Sequence, residues 1–200
     1  MSVNVWGMAA LTRAFLPLLR CCARAGVGVV TPRVVNIASV AGRVAMGGTS
    51  AYSMSKHAVE AFSDSLRREV KCFGVDVITI EPGFFKTNII DPVKQTEAAR
   101  ALFLSAPAAT QEAYGRPFFE MQVAEFAKLV GILQDTRPEK VAGVLLDAVT
   151  MVRPPAHNLV GMDAHLFFAP AALLPAFVAD PILTDGMFPS LPHAAVANPF

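Results

Sequence analysis

Apolar residues in the opening stretch fall at helical spacing. Leu11, Phe15, Leu18 and Leu19 share one stripe, which predicts a helix over residues 4–24. Arg20 and Arg24 sit in its last turn, where cations suit the helix dipole, and Gly26 and Gly28 then end it. The pattern changes at 33–38, Arg-Val-Val-Asn-Ile-Ala, a short β-branched run that predicts a buried strand. A Gly-containing loop over 42–48 leads into a second helical pattern over 50–73. There Ala58, Phe62, Leu66 and Val70 repeat every four residues and Gly74 is a ready C-cap. Val-Asp-Val-Ile-Thr-Ile at 75–80 predicts a second strand, closed by Pro82-Gly83.

Strand, helix and strand joined by a long crossover make a βαβ unit, and hence a parallel sheet with helices on its faces. Beyond it, 91–137 reads as mostly helical with breaks at Pro107 and Pro117. A helix from Pro138 to about 150, a short last strand over 157–161 and an irregular Pro-rich tail over 182–200 follow.

Composition narrows the class. A hydrophobic share of 54% against 16% charged residues is the reverse of what a disordered chain needs. Lys plus Arg number 17 and Asp plus Glu 16, so the net charge of +1 excludes a partner held by phosphate neutralisation, and nucleic acid is not expected. The mean hydropathy of +0.46 raises the question of a membrane. The apolar run over 166–179 is shorter than the ~20 residues a spanning helix needs and is interrupted by Pro170 and Pro175. Arg13 breaks the N-terminal run. No transmembrane span is therefore expected, though the segment from Leu166 could rest on a bilayer surface. Cys21, Cys22 and Cys72 have neither disulfide-framework nor metal-ligand spacing and read as reduced thiols of an intracellular protein, with no metal site.

The sharpest chemical signal is Tyr52-Ser53-Met54-Ser55-Lys56. Positions four apart share a helix face, so an ammonium stands near a phenol. A cation beside a phenol favours its ionised form and fits it to exchange a proton with an alcohol or carbonyl. Taken alone, such a pair is more often an ordinary surface pair. Context changes the weighting, because Ser39 ends the first strand thirteen residues earlier and Pro82-Gly83 ends the second. Strand C-termini are where α/β sheets place their chemistry.

Asn4-Val5-Trp6-Gly7, Val35-Asn36-Ile37-Ala38-Ser39, Tyr52-x-x-x-Lys56 and Pro82-Gly83-Phe84-Phe85-Lys86-Thr87 occur in order. Together they resemble the short-chain dehydrogenase/reductase family over about residues 3–170. Glu60 through Arg68, Glu81-Pro82-Gly83 and Val160 through Ala164 resemble its branch acting on retinols and hydroxysteroids. The resemblance implies the C-terminal half of a partial Rossmann-like, doubly wound parallel α/β sheet. It implies Tyr52 as general acid/base, and Lys56 favouring the phenolate and binding the nicotinamide ribose. Ser39 would hydrogen-bond the reacting oxygen, and Asn4 would hold a relay water. Pro82, Gly83 and Thr87, with Tyr52 and Lys56, would bind the cofactor, NAD or NADP. Ser39, Tyr52, Phe84 and Phe85 would contact a small lipophilic substrate, an alcohol or ketone of retinoid or steroid type. A homodimer through the helices over 4–24 and 50–73 is implied, as is association with the endoplasmic reticulum membrane or, failing that, a cytoplasmic location.

The resemblance has departures. Neither a Gly-x-Gly-x-x-Gly turn nor a P-loop is present, since Gly48 stands where the nearest lookalike would need its lysine. The family's phosphate-binding turn is expected upstream of Met1, and 21–33 is about eight residues longer than the usual link. The expected organisation is a truncated dehydrogenase domain over 1–165, with a substrate lid over about 88–137, then an apolar helix and tail over 166–200. The alternative is a catalytically inactive fragment that keeps the dimer helices and acts by partner binding.

Overall fold

The computed structural model describes residues 1–26 and 31–184. The chain divides into two compact units, residues 1–83 with 137–173, and residues 84–136 with the chain from 174 onward.

The first unit is built on a three-stranded, all-parallel sheet of order β1-β2-β3: Arg33–Ile37, Asp76–Pro82 and His157–Val160. A π-helical turn, Ser2–Gly7, leads into α1, Met8–Ala25, which Gly26 ends in the left-handed conformation at φ 62°. Gly28 and the middle of the long 21–33 link lie outside the described residues. After β1 a single 3₁₀ turn, Val40–Gly42, precedes α2, Ser50–Val70. A further 3₁₀ turn, Lys71–Phe73, is closed by Gly74 at φ 70°, a conformation that glycine adopts without steric cost.

Side chains alternate across the sheet, and register fixes which face each occupies. Val77 and Val34 meet Leu66 and Val70 of α2, with Leu16, Leu19 and Ala23 of α1 packed against the same cluster. Asn36, one pleat along, donates to Ser63 Oγ of α2 at 2.8 Å. Arg33 points to the other face, where its Nη1 donates to Ala148 O of α6, Glu139–Thr150. Thr79, Glu81 and His157 therefore line the α2 side of the sheet, and Ile78 and Ile80 the α6 side.

The second unit carries α3, Pro92–Ser105, α4, Ala108–Tyr114, and α5, Arg116–Leu133. Asp91 caps α3 through the amides of Val93 and Lys94. Phe103 of α3 stacks on Phe119 of α5 at 4.5 Å between ring centroids, and Arg100 pairs with Glu120 across the same two helices. A short last helix, Ala176–Leu183, ends the described chain, so most of the Pro-rich tail lies outside the described residues.

Four expectations need correction. Pro107 does separate helices, but Pro117 opens α5 rather than breaking one. Proline suits the first helical turn, and the break is Gly115 at φ 70°. β2 runs on through Pro82. The deepest stripe of α2 is not Ala58 and Phe62, which are half-buried, but Ser53, Ser55, Val59, Ser63, Leu66 and Val70. Small side chains let the helix approach the sheet closely, and Ser63 satisfies Asn36. Lastly, Arg13 does not end the N-terminal apolar run. Ser2–Ala25 is 24 residues long with a mean hydropathy of 1.2, enough by length and composition to cross a membrane. The same helix packs Leu16, Leu19 and Ala23 against the core and sets Arg20 over the Phe73 ring at 3.8 Å.

Leu66→Ala should cost about 2–4 kcal/mol, the usual range for emptying a buried leucine site. Urea unfolding of both chains checks this, and an unchanged midpoint would show that the α2–sheet cluster does not hold the unit together.

Candidate active site

The C-terminal ends of β1 and β2 lie side by side, so the turns that follow them are neighbours. Ser39, at backbone φ −176°, caps the 3₁₀ turn after β1. Its Oγ accepts from Ala41 N at 3.2 Å and donates to Pro82 O, the last residue of β2, at 3.3 Å. It is 8% exposed. Ser39 is thus both a turn-capping residue and the link between the two strand ends.

Lys56, on α2, donates from Nζ to Ile37 O, two residues before Ser39, at 2.9 Å. The same Nζ lies 5.8 Å from the centroid of the Tyr52 ring. Burial of the ammonium pulls Lys56 below the ordinary lysine pKa, and the charge of Glu60 opposes that shift. The Tyr52 side chain is 44% exposed, open to a substrate. Asn4, from the π-helical turn, donates from Nδ2 to Ser55 Oγ at 3.2 Å, and Ser55 Oγ in turn donates to Tyr52 O at 2.7 Å. Asn4, Tyr52 and Lys56 are thereby tied to one turn of α2, with Lys56 joining that turn to the strand end beside Ser39. His57, next in sequence, turns away and bonds its own helix at Ser53 O.

Gly83 N donates to Val160 O at 2.8 Å, and a Cβ added at Gly83 would run into the Asp163 carboxylate. Glycine is required here by the close approach of that buried side chain. Phe84 and Phe85, in the second unit, are both buried, and Phe84 O accepts from Asp135 N at 2.8 Å. Thr87 occupies the N-cap position of a 3₁₀ turn, Asn88–Ile90, without a side-chain capping bond, and is exposed.

The unforeseen feature is a charged cluster under the site, between α2 and the sheet. Glu81 of β2 is fully buried. Arg43, from the turn after Ser39, forks onto both of its carboxylate oxygens, and Arg43 Nη2 lies 3.0 Å from Oε1. His157 of β3 sets Nδ1 2.9 Å from Glu81 Oε1 and Nε2 3.1 Å from Asp64 Oδ1. Thr79 Oγ1 is 3.3 Å from the same Glu81 oxygen. The hydrogen bond to Glu81 raises the Arg43 pKa, and the hydrogen bond from Arg67 lowers that of Asp64. Burial, reinforced by Glu81, pushes Glu60 up to about 7. Ligand atoms of Glu60, Glu81 and His157 lie within 4.8 Å of one another, but Arg43 already supplies the positive charge to Glu81, and the group is an ion-pair network rather than a metal centre.

The sequence carried a signal for Glu81, a lone acid at the buried parity of a strand after Val75, Val77 and Thr79. It carried none for His157, whose partners lie 76 and 93 residues away.

A family model described as short chain dehydrogenase matches residues 1–98. Retinol dehydrogenase 5 of Mus musculus is 39% identical over 184 residues, covering 92% of this chain and 55% of that protein. The 17-beta-hydroxysteroid dehydrogenase type 6 of Bos taurus is 38% identical, covering 91% and 54%. A short-chain dehydrogenase structure from Streptomyces avermitilis superposes with a TM-score of 0.58 at 28% identity, over 90% of this chain and 56% of that one. The chain spans about half the length of the curated relatives it matches.

Removing the Arg43 side chain leaves the Glu81 carboxylate buried without its counter-ion. Arg43→Met should therefore destabilise the protein by about 3 kcal/mol, and adding Glu81→Met should restore most of the loss, since an apolar pair tolerates burial. Denaturant melts of the single and double variants test this. A double variant no better than the single one would mean that the pair's geometry, not its charge balance, matters.

Proposed function

We propose that this chain, which belongs to the short-chain dehydrogenase family, carries the proton-transfer half of an NAD(P)-dependent oxidoreductase. Its substrate would be a lipophilic alcohol or the corresponding carbonyl compound, of retinoid or hydroxysteroid type. The observation that carries the reading is Lys56 Nζ, hydrogen-bonded at the end of β1 beside Ser39 and 5.8 Å from the Tyr52 ring.

The residues at the strand ends fit the nicotinamide half of the cofactor. An ammonium, a hydroxyl and the Pro82–Gly83 backbone converge at the C-terminal edge of a parallel sheet, where such folds bind ligands. Tyr52, Lys56, Pro82 and Gly83 would hold it. A bound nicotinamide supplies the hydride acceptor or donor.

The protein's own part is the proton. During alcohol oxidation the Tyr52 oxygen would take the hydroxyl proton as a hydride leaves the carbon bearing that hydroxyl, and during carbonyl reduction it would return a proton to the oxygen. The Lys56 ammonium, 5.8 Å from the centroid of the same ring, would favour the ionised phenol, and Ser39 Oγ can donate to the reacting oxygen in place of Pro82 O, which offsets charge as it develops. Asn4, bonded to the α2 turn, would hold a water that connects Lys56 with solvent.

A lipophilic substrate is supported by the two relatives' names and by the apolar second unit, where Leu102, Leu104 and Met121 are exposed and Phe103 stacks on Phe119. A homodimer through the helices over 4–24 and 50–73 belongs to the same reading, and α1 exposes Leu11, Phe15 and Leu18. Placement at the endoplasmic reticulum membrane is proposed from the resemblance alone.

Tyr52→Phe should lower turnover of a retinol or hydroxysteroid substrate by about 10²–10⁴-fold, the usual worth of a positioned acid/base, while leaving circular dichroism and melting unchanged. Activity equal to wild type sinks Tyr52's role. Absence of saturable NAD(P) binding to the wild-type chain would instead favour a non-catalytic fragment.

A further inference from the structure

We propose that Glu60 is a positioning residue of the proton relay, its buried carboxylate serving as the counter-charge of the Lys56 ammonium. The inference rests on the relay assigned above and adds a residue to it.

Lys56 and Glu60 are one turn apart on α2 and share a face. The turn that carries Ser39 is wedged against that face. A Cβ on Gly42 would lie 2.9 Å from Lys56 O and 3.0 Å from Glu60 Cγ, so nothing larger than glycine lets the turn settle there. The Glu60 stem is thus held between the Lys56 turn of the helix and the Ser39 turn of the sheet.

The charges facing Glu60 come from four elements. Lys56 and Asp64 share its helix, Arg43 comes from the turn after β1, Glu81 from β2 and His157 from β3. Arg43 and His157 are already committed elsewhere. Arg43 gives both hydrogen bonds to Glu81, and His157 bonds Glu81 and Asp64. Glu60 keeps only a 3.6 Å approach from its Oε2 to His157 Nδ1. Its Oε1 is buried without a hydrogen-bond partner among the described residues. Lys56, for its part, bonds a neutral carbonyl, Ile37 O. Among the described residues Lys56 thus has no bonded opposite charge and Glu60 has only the 3.6 Å approach to His157, and the two stand one turn apart.

The titration order suits the role. With a value of about 7, Glu60 is ionised through the alkaline range in which a lysine would lose its proton, and there its charge raises the Lys56 pKa against the lowering by burial. Below neutrality Glu60 takes up a proton, where Lys56 needs no help to stay charged.

Lysine labelled with ¹³C at Cε reports each ammonium by NMR, and Lys56→Arg identifies the Lys56 signal. In Glu60→Gln the Lys56 midpoint should fall by about half a unit or more, with the other lysines unmoved, and Glu60→Asp should fall between the two. An unchanged Lys56 midpoint in Glu60→Gln overturns the proposal.

Stability gives an independent sign. Because the folded value of Glu60 lies above its ordinary 4.5, the native state binds more protons than the unfolded one between about 4.5 and 7, so this group's contribution falls as pH rises through that window. The wild type should therefore lose melting temperature relative to Glu60→Gln between pH 5 and 8, which checks the raised Glu60 value independently of Lys56. If the enzyme reading holds, the alkaline fall in turnover moves to lower pH in Glu60→Gln along with the Lys56 midpoint. A shifted midpoint in a chain whose wild type shows no turnover would leave Glu60's role standing and remove the enzymatic reading alone.

Discussion

The ion pair between Arg43 and Glu81 is the constraint to which the rest of the first unit is fitted. A carboxylate with no solvent exposure, in the middle of a parallel sheet, is tolerated only when paired and fully hydrogen-bonded. Glu81 meets that condition with three donors from three places. Arg43 comes from the turn after β1, Thr79 from its own strand and His157 from β3. Those contacts fasten the turn that carries Ser39 to the strand that ends in Pro82, and both to the third strand. A hydrophobic residue at 81 would fill the space but would fasten nothing.

Above this layer the residues of the proposed relay are held almost wholly through backbone acceptors. Ser39 reaches Pro82 O, Lys56 reaches Ile37 O, and Asn4 reaches Tyr52 O through Ser55. Backbone atoms at strand ends and on a helix turn move little, so side chains anchored to them keep their spacing. Anchoring by long charged partners would not achieve this, because such partners carry rotamer freedom of their own. The charged layer below therefore supplies rigidity and field, and the carbonyls above supply registration.

Much of this was legible in the letters. Two β-branched runs flanking an amphipathic helix gave the βαβ unit, and Gly26 and Gly74 marked helix ends that prove to be left-handed caps. The four-residue spacing of Tyr52 and Lys56 and the position of Ser39 at a strand end marked the candidate site, because both follow from fixed periodicities. Three things were hidden. Apolar periodicity misplaced the deepest face of α2, since that face is chosen by size and hydrogen bonding, with Ser63 serving Asn36, rather than by hydrophobicity. The charged cluster joins residues scattered from 43 to 157, and no local pattern encodes such a meeting. The division at Gly83 and Arg137 was hidden too, because the helical pattern over 91–137 shows where helices lie but not which body they join.

Asp163 shows how the two layers share one residue-scale constraint. Its carboxylate occupies the space a side chain at 83 would need, so the Pro82-Gly83 turn is shaped from behind by an acid and from the side by Ser39. The same economy recurs at Gly42, where the missing side chain lets the Ser39 turn lie directly on the Lys56–Glu60 turn of α2. In both places a glycine exchanges bulk for contact between a backbone that must be placed and a charge that must be near it. The two glycines flank the proposed reaction centre because close approach, not flexibility, is what a short proton path requires. Neither has a positive φ, and a larger residue at either position would be excluded by what it meets rather than by its own backbone.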